Sequence, residues 1–284
     1  MKIIFLGDWG ESSESMLTRY ARQTPNNSGK WGKLVGTSDF DEADFYVVMD
    51  RPGDRLPPLE KTIYLQREPK NLKRPWMNLN FPNDLFYNGS YENCHNVVTW
   101  WLDKNFDELV ALPKPNYNKL LSTVTSGRRH LPEANDRLDF LKRFINNYKN
   151  IDVYGRGTGS EVPSQVYKGP LNYAGNCKFK GHYGYKYSFV FENTTEKNSW
   201  TEKPADSLLC WSYPFYFGCP NLNDYIPENS FHQLNHELHT QPIDPIINLL
   251  NTDPNFDAIA EARENILYKW NIWPTIERII NERS

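Results

Sequence analysis

One stretch constrains the fold more than any other: residues 185–231, YKYSFVFENTTEKNSWTEKPADSLLCWSYPFYFGCPNLNDYIPENSF. An apolar, β-rich run (187–191) ends in Glu192-Asn193, and a polar loop leads to Thr201-Glu202-Lys203-Pro204. An apolar helical stretch follows, then a second β-run (214–217) and Gly218. The order is strand, loop, helix, strand, with charged and amide groups gathered where the first strand ends and the helix begins. Ligands of open α/β sheets bind outside the carboxyl ends of the strands, and a helix N-terminus favours anions. The segment is therefore suited to a phosphorylated ligand.

The same alternation runs through the rest of the chain. Before it, β-runs at 2–6, 45–49, 62–65 and 96–101 and a helical pattern at 14–22 suggest a parallel α/β sheet. LPKPNYNK (112–119) has no periodicity and reads as a linker. A second set begins with a strand at 121–125 and a helix at 136–147, where Leu138, Leu141, Phe144 and Ile145 share one face. A strand at 151–154, the Gly-rich loop 155–160 and a short helix near 170–178 precede the opening segment. The end, from about 242, is helical in pattern, with interruptions near Asp253-Pro254 and at Pro274. The expected division is 1–117, 118–245 and a helical 246–284, and 284 residues with 39% hydrophobic content can fill two domain cores.

Several function classes are disfavoured. A net charge of −3 with scattered basic residues leaves no electrostatic footprint for nucleic acid. No run approaches the ~18 apolar residues of a membrane span. The apolar start MKIIFLGDWG stops at Gly7-Asp8, short of a signal-peptide core. The four cysteines, Cys94, Cys177, Cys210 and Cys219, have no CxxC spacing, and reduced thiols are the expectation. A cytoplasmic protein is the expected setting.

FEN, then nine residues from Asn193 to Glu202, TEK, and PFYFGCPNLNDYIPENSF together resemble the donor-binding signature of the α1,3/4-fucosyltransferases, glycosyltransferase family 10. The resemblance covers about 120–231, with a weaker echo near Glu68. It implies the GT-B architecture: two Rossmann-like α/β domains facing a cleft, the first for the acceptor and the second for the nucleotide sugar, with a C-terminal helical segment packing back on the first. It further implies inverting transfer of fucose from GDP-fucose to a hydroxyl of a glycan acceptor, with α1,3 linkage. Animal members carry a membrane anchor and stem, so the resemblance is to soluble bacterial- or virus-type members. The sequon Asn193-Thr194-Thr195 would put a glycan in the donor site, which also argues against a glycosylating compartment.

The resemblance assigns roles by position. Lys203 and Arg137 would clamp the departing diphosphate, since fixed cations stabilise charge that grows in the transition state. Thr201 would cap the helix, with Pro204 in its first turn. Arg128 and Arg129 follow the strand at 121–125 and compete for the arginine role. Asn193 would bond phosphate or sugar oxygens, Glu202 would accept from donor hydroxyls, and Glu192 is either part of that rim or a cap of the loop. The family's tyrosine two residues before the TEK threonine is Ser199 here, so Trp200 either replaces its phosphate contact or does not. Glu68, at the end of KTIYLQREP, would be the general base, with Glu92, Asp84, Asp8 and Asp54 among the other carboxylates of that half.

Each assignment has a bland rival: surface cations, a loop carboxylate and core tryptophans. The loop Gly155-Arg156-Gly157-Thr158-Gly159 is no ATPase P-loop and reads as a flexible turn beside the nucleotide. His232, His236 and His239 with Glu237 look like a metal cluster but lack HExxH, and no metal cofactor is expected. Two alternatives remain: the same scaffold with another nucleotide sugar, or a catalytically silent carbohydrate- or nucleotide-binding protein.

Overall fold

In the computed structural model, residues 1–7, 10–49, 55–65, 98–129, 132–171 and 178–283 are described. Among them two five-stranded sheets carry the architecture. The first half contains β1 (Lys2–Gly7), α1 (Ser13–Ala21), β2 (Lys30–Trp31), β3 (Leu34–Gly36), β4 (Phe45–Met49), β5 (Thr62–Leu65) and α2 (Phe106–Val110). Its strand order is β2-β3-β1-β4-β5, parallel except for the β2–β3 pair.

The second half follows with β6 (Lys119–Val124), α3 (Pro132–Asn147), β7 (Asp152–Tyr154), α4 (Lys178–His182), β8 (Tyr185–Phe191), α5 (Glu202–Leu209), β9 (Tyr213–Phe217) and β10 (His232–Gln233). Its sheet is parallel throughout, in the order β10-β9-β8-β6-β7. The central strand β8 is apolar on both faces because helices cover both. Tyr187, Phe189 and Phe191 project, at period two, into a cluster with Phe140 and Phe144 of α3. Val190 faces the other way, towards Ala205, Leu208 and Leu209 of α5.

The chain ends in α6 (Asp244–Leu249), α7 (Phe256–Glu264), a π-helical turn (Asn265–Trp270) and α8 (Ile272–Arg283). Helix α8 returns to the first sheet, where Ile272, Trp273, Ile276, Ile279 and Ile280 pack on Ile3, Phe5, Val47 and Ile63. Each such fully buried side chain is worth about 1.5–3 kcal/mol of transfer free energy. The Trp273 indole N–H donates to the Tyr20 carbonyl at 2.8 Å, and Arg283 donates to that of Thr62 at 2.7 Å. Both contacts fix the tail to the first half.

Three expectations need correction. Residues 96–101 were expected as a strand, but Val98 makes a single bridge to Asn271 and 99–101 are irregular, while 96 and 97 lie outside the described residues. Pro274 does not interrupt the tail. It sits in the first turn of α8, where a missing N–H leaves no bond unmade, and the break falls at Asn271. The short helix expected at 170–178 begins at Lys178 instead, and 172–177 lie outside the described residues. Among the described residues no helix is long and apolar enough to cross a membrane.

Candidate functional site

The carboxyl end of the central strand β8 places Phe191 opposite Phe217 and delivers Glu192 and Asn193 just beyond the sheet edge. The loop then returns to Thr201, whose side chain caps α5 by accepting from the Lys203 amide at 3.4 Å. Capping and strand register therefore bring Glu192 and Lys203 together, and Lys203 Nζ donates to Glu192 at 2.9 Å and to the Thr201 hydroxyl at 2.9 Å. Glu192 is 1% exposed and also accepts from the Thr201 amide and hydroxyl. Burial lowers the Lys203 pKa, but the Glu192 and Glu202 charges outweigh it and raise the group above its ordinary value.

Arg137 arrives from α3. It is 3% exposed, far from the surface arginine of the bland reading. One terminal nitrogen donates to Asn193 Oδ1 at 2.9 Å; the other donates to the Ser126 carbonyl and hydroxyl at 3.3 and 3.2 Å. Its Nε has no hydrogen-bond partner. Burial lowers its pKa, opposed by the charge of Glu192. Among the described residues, the groups bonded to this cation are thus neutral.

Helix α5 carries a second set one turn on. Lys178, at the start of α4, donates to Glu202 at 3.0 Å and to Asp206 at 2.9 Å. Burial raises the Glu202 pKa, but the charges of Lys178 and Lys203 overcome it and hold the carboxyl well below its ordinary value. Asp206 is fully buried, which pushes its pKa up to about 6 against the pull of Lys178. Its other oxygen accepts from the Trp101 amide at 2.8 Å, linking α5 to the first half. Beside Trp101, a groove of about 590 Å³ is lined by Ser15, Arg19, Gln23, Asp103 and Lys104 among others.

No protein-family model matches the chain. Over 129 residues it is 30% identical to GDP-fucose protein O-fucosyltransferase 3 of Xenopus laevis, covering 44% of this chain and 27% of that protein. Against the Homo sapiens protein of the same name it is 26% identical over 161 residues, 56% of this chain and 33% of the other. The chain thus spans about a quarter to a third of the length of these relatives. A crystal structure of an α1,3-fucosyltransferase superposes with a TM-score of 0.50 at 14% identity, covering 99% of this chain and 88% of that one. An α-glucosyltransferase solved with UDP and a 13-mer DNA gives 0.55 at 8% identity, covering 99% and 98%. These two likenesses carry the fold. The chain is similar in sequence to fucosyltransferases over part of its length and has the GT-B fold.

On this fucosyltransferase-like scaffold the other expected site residues fall into three groups. Arg128 is exposed at the end of the loop after β6, with no partner among the described residues. Arg129, its rival, is taken up by Asp139 and Glu161 at 2.8 Å each. Trp200 is 3% exposed, packed in the core with Ala205 and Leu208, its ring 5.8 Å from that of Tyr225. The indole therefore fills the core beneath the loop instead of standing at the charged rim. Glu68, Asp8, Asp54, Asp84 and Glu92 lie outside the described residues.

The Gly-rich loop is a packed turn, not a flexible one. Gly127 donates to the Arg156 carbonyl at 3.0 Å, and the Thr158 hydroxyl donates to that of Thr125 at 2.6 Å. A Cβ on Gly127 would lie 2.2 Å from the Gly157 oxygen, so only glycine permits this approach. The three histidines share no helix face: His232 is on β10, His236 in a loop, and His239 in a 3₁₀ turn 3.7 Å from Glu237. Among the described residues no three His, Cys, Asp or Glu side chains are grouped to hold a metal.

Sequence reasoning missed Lys178 and Asp206. The i, i+4 spacing of Glu202 and Asp206 signals a shared helix face, but nothing local links Lys178 to either.

Proposed function

We propose that the chain transfers fucose from GDP-fucose to a hydroxyl group, by a single in-line displacement that inverts the anomeric centre. Residues 1–117 hold the acceptor, residues 118–245 hold the donor, and the tail 246–284 joins them. The observation that carries this reading is the convergence at one strand edge of Arg137 on Asn193 and Lys203 on Glu192, both at 2.9 Å. These are the positions that match the fucosyltransferase donor signature, and they supply two cations beside a helix start. When the donor binds, its diphosphate takes the place of the internal partners of Lys203 and Arg137 and is stabilised as charge develops on GDP. Arg128, Asn193 and Glu202 complete the rim.

Glu68 is the general base in this reading, removing the proton from the attacking hydroxyl. A carboxylate in this role is typically worth about 10²–10⁴-fold. Glu68→Gln keeps size and hydrogen bonding, so transfer should fall by that order while GDP affinity, measured by calorimetry, holds. Normal transfer by this variant would redirect the search to Glu92, Asp84 and Asp8. The protein cationic clamp does the work a metal does elsewhere, so transfer should survive EDTA.

Two acceptor classes fit. The family signature favours a glycan hydroxyl, whereas the sequence similarity to a protein O-fucosyltransferase over 129 residues favours a hydroxyl of a protein. GDP release from GDP-fucose, measured with glycan acceptors and separately with serine- and threonine-bearing protein domains, decides between them. GDP binding without turnover under every condition would support the silent alternative.

A further inference from the structure

We infer that Lys178 is a positioning residue of the donor site: it holds Glu202 off the Lys203 ammonium and, through Asp206, anchors the donor helix to Trp101 of the opposite half. This rests on the donor reading given above. A chain of alternating charges surrounds the start of α5. Glu192 meets Lys203 at 2.9 Å, Lys203 meets Glu202 at 3.7 Å, Glu202 meets Lys178 at 3.0 Å, and Lys178 meets Asp206 at 2.9 Å. Three carboxylates thus share two lysines around the first turn of α5.

Lys203 is the lysine nearest the strand edge, and Glu202 reaches it less closely than it reaches Lys178. Remove Lys178 and the Glu202 charge has one cation left. Glu202 would then compete with an incoming diphosphate for Lys203, and an uncompensated carboxylate would stand beside the phosphates. Lys178 does not touch the reacting atoms in this account; it sets how free Lys203 is.

Asp206 gives the arrangement its second function. Fully buried, it accepts from Lys178 on one oxygen and from the Trp101 amide on the other. Trp101 lines the groove beside α1. The peptide flanking that groove is therefore two hydrogen bonds from Lys178 and three from Glu202, which ties the donor helix to the acceptor half by charge-assisted contacts.

A purely structural lysine would do no more than neutralise Asp206, and the test separates the two roles. The variants are Lys178→Met, Lys178→Arg and the double variant Lys178→Met/Asp206→Asn, each checked by thermal melting and by calorimetric titration with GDP. The double variant removes the buried charge pair together, so it should melt near the parent even if Lys178→Met alone does not fold. Its GDP affinity should still be roughly tenfold weaker, the scale of one charge-assisted contact, with KM for GDP-fucose raised more than kcat is lowered. Lys178→Arg should restore most of that loss. Parental GDP affinity in the double variant would overturn the positioning role and leave Lys178 as a neutralising partner. Absence of GDP binding by the parent protein would instead overturn the donor reading itself.

Discussion

Arg129 and Arg137 flank the same loop-to-helix turn after β6, and their surroundings are opposite. Arg129 is a third exposed and donates to Asp139 and to both oxygens of Glu161, which Lys142 also contacts at 2.7 Å. The Arg129 hydrogen bonds, helped by Lys142, lower the Glu161 pKa to about 2. Arg137 is almost wholly buried and, among the described residues, bonds an amide, a hydroxyl and a carbonyl oxygen. The first cation is already neutralised by carboxylates in reach of water. The second is desolvated with neutral partners, an arrangement that costs folding free energy until an anion arrives. Position near a strand end does not separate the two arginines; the charge of their partners does.

The largest effect should come from Lys203, which lies between the two cases: less exposed than Arg129, yet paired with a carboxylate as Arg129 is. Lys203→Ala leaves Glu192 buried with, among the described residues, Thr201 and Tyr216 as donors. Breaking a buried pair costs about 3–5 kcal/mol, less here because Lys203 is a quarter exposed. GDP affinity should fall roughly 10- to 100-fold as well, the scale of a lost charge-assisted contact. Unchanged GDP affinity in a folded Lys203→Ala protein would remove it from the donor site.

Arg137→Ala should show the reverse balance. GDP affinity should fall by the same order, but the melting temperature should drop less than for Lys203→Ala, because no carboxylate loses its partner. A large loss of stability with GDP affinity intact would make Arg137 a structural residue and end the contrast with Arg129.

How much of this was legible beforehand follows from the range of the interactions. Helix α3, the strands β4 and β5 and the Thr201 cap announce themselves within a few residues, through period and capping chemistry. The ordered spacing of Glu192, Asn193, Glu202 and Lys203 marked the strand edge proposed to hold the donor. What could not be read depends on tertiary neighbours. Arg128 and Arg129 look alike in sequence, and only Asp139 and Glu161 separate them. Trp200 beside the TEK motif could face either way, and packing against Leu208 turns it inward. Lys178 meets Glu202 and Asp206 only because α4 folds against α5.

The buried end of the charge chain should respond to pH. Asp206 titrates at about 6 in the fold against an ordinary 3.8, because burial disfavours its charge. A carboxyl whose pKa is raised by folding binds its proton more tightly when folded. Its contribution is therefore fully present below about 3.8 and is lost as pH rises towards about 6. Asp206→Asn cannot titrate, so the stability difference between parent and variant should shift against the parent across that window and be flat above it. Urea unfolding at steps of pH measures this. The opposite slope would mean that Lys178 outweighs burial and holds the carboxylate ionised.

The smallest effect belongs to Arg129, and its smallness is what the comparison requires. Exposed ion pairs are typically worth about 0–1 kcal/mol, because water screens them and two long side chains must be held in place. Arg129 contacts Glu161 and Asp139, but Lys142 remains beside Glu161 when it is removed. Arg129→Ala should thus lower stability by no more than about 1 kcal/mol, and the loss should shrink further in high salt. GDP affinity should stay at the parental level, since the carboxylates around Arg129 already use its charge. A drop in GDP affinity as large as that of Arg137→Ala would mean that Arg129 leaves Glu161 for the phosphates on binding, and the internal partners seen here would then not distinguish the two arginines.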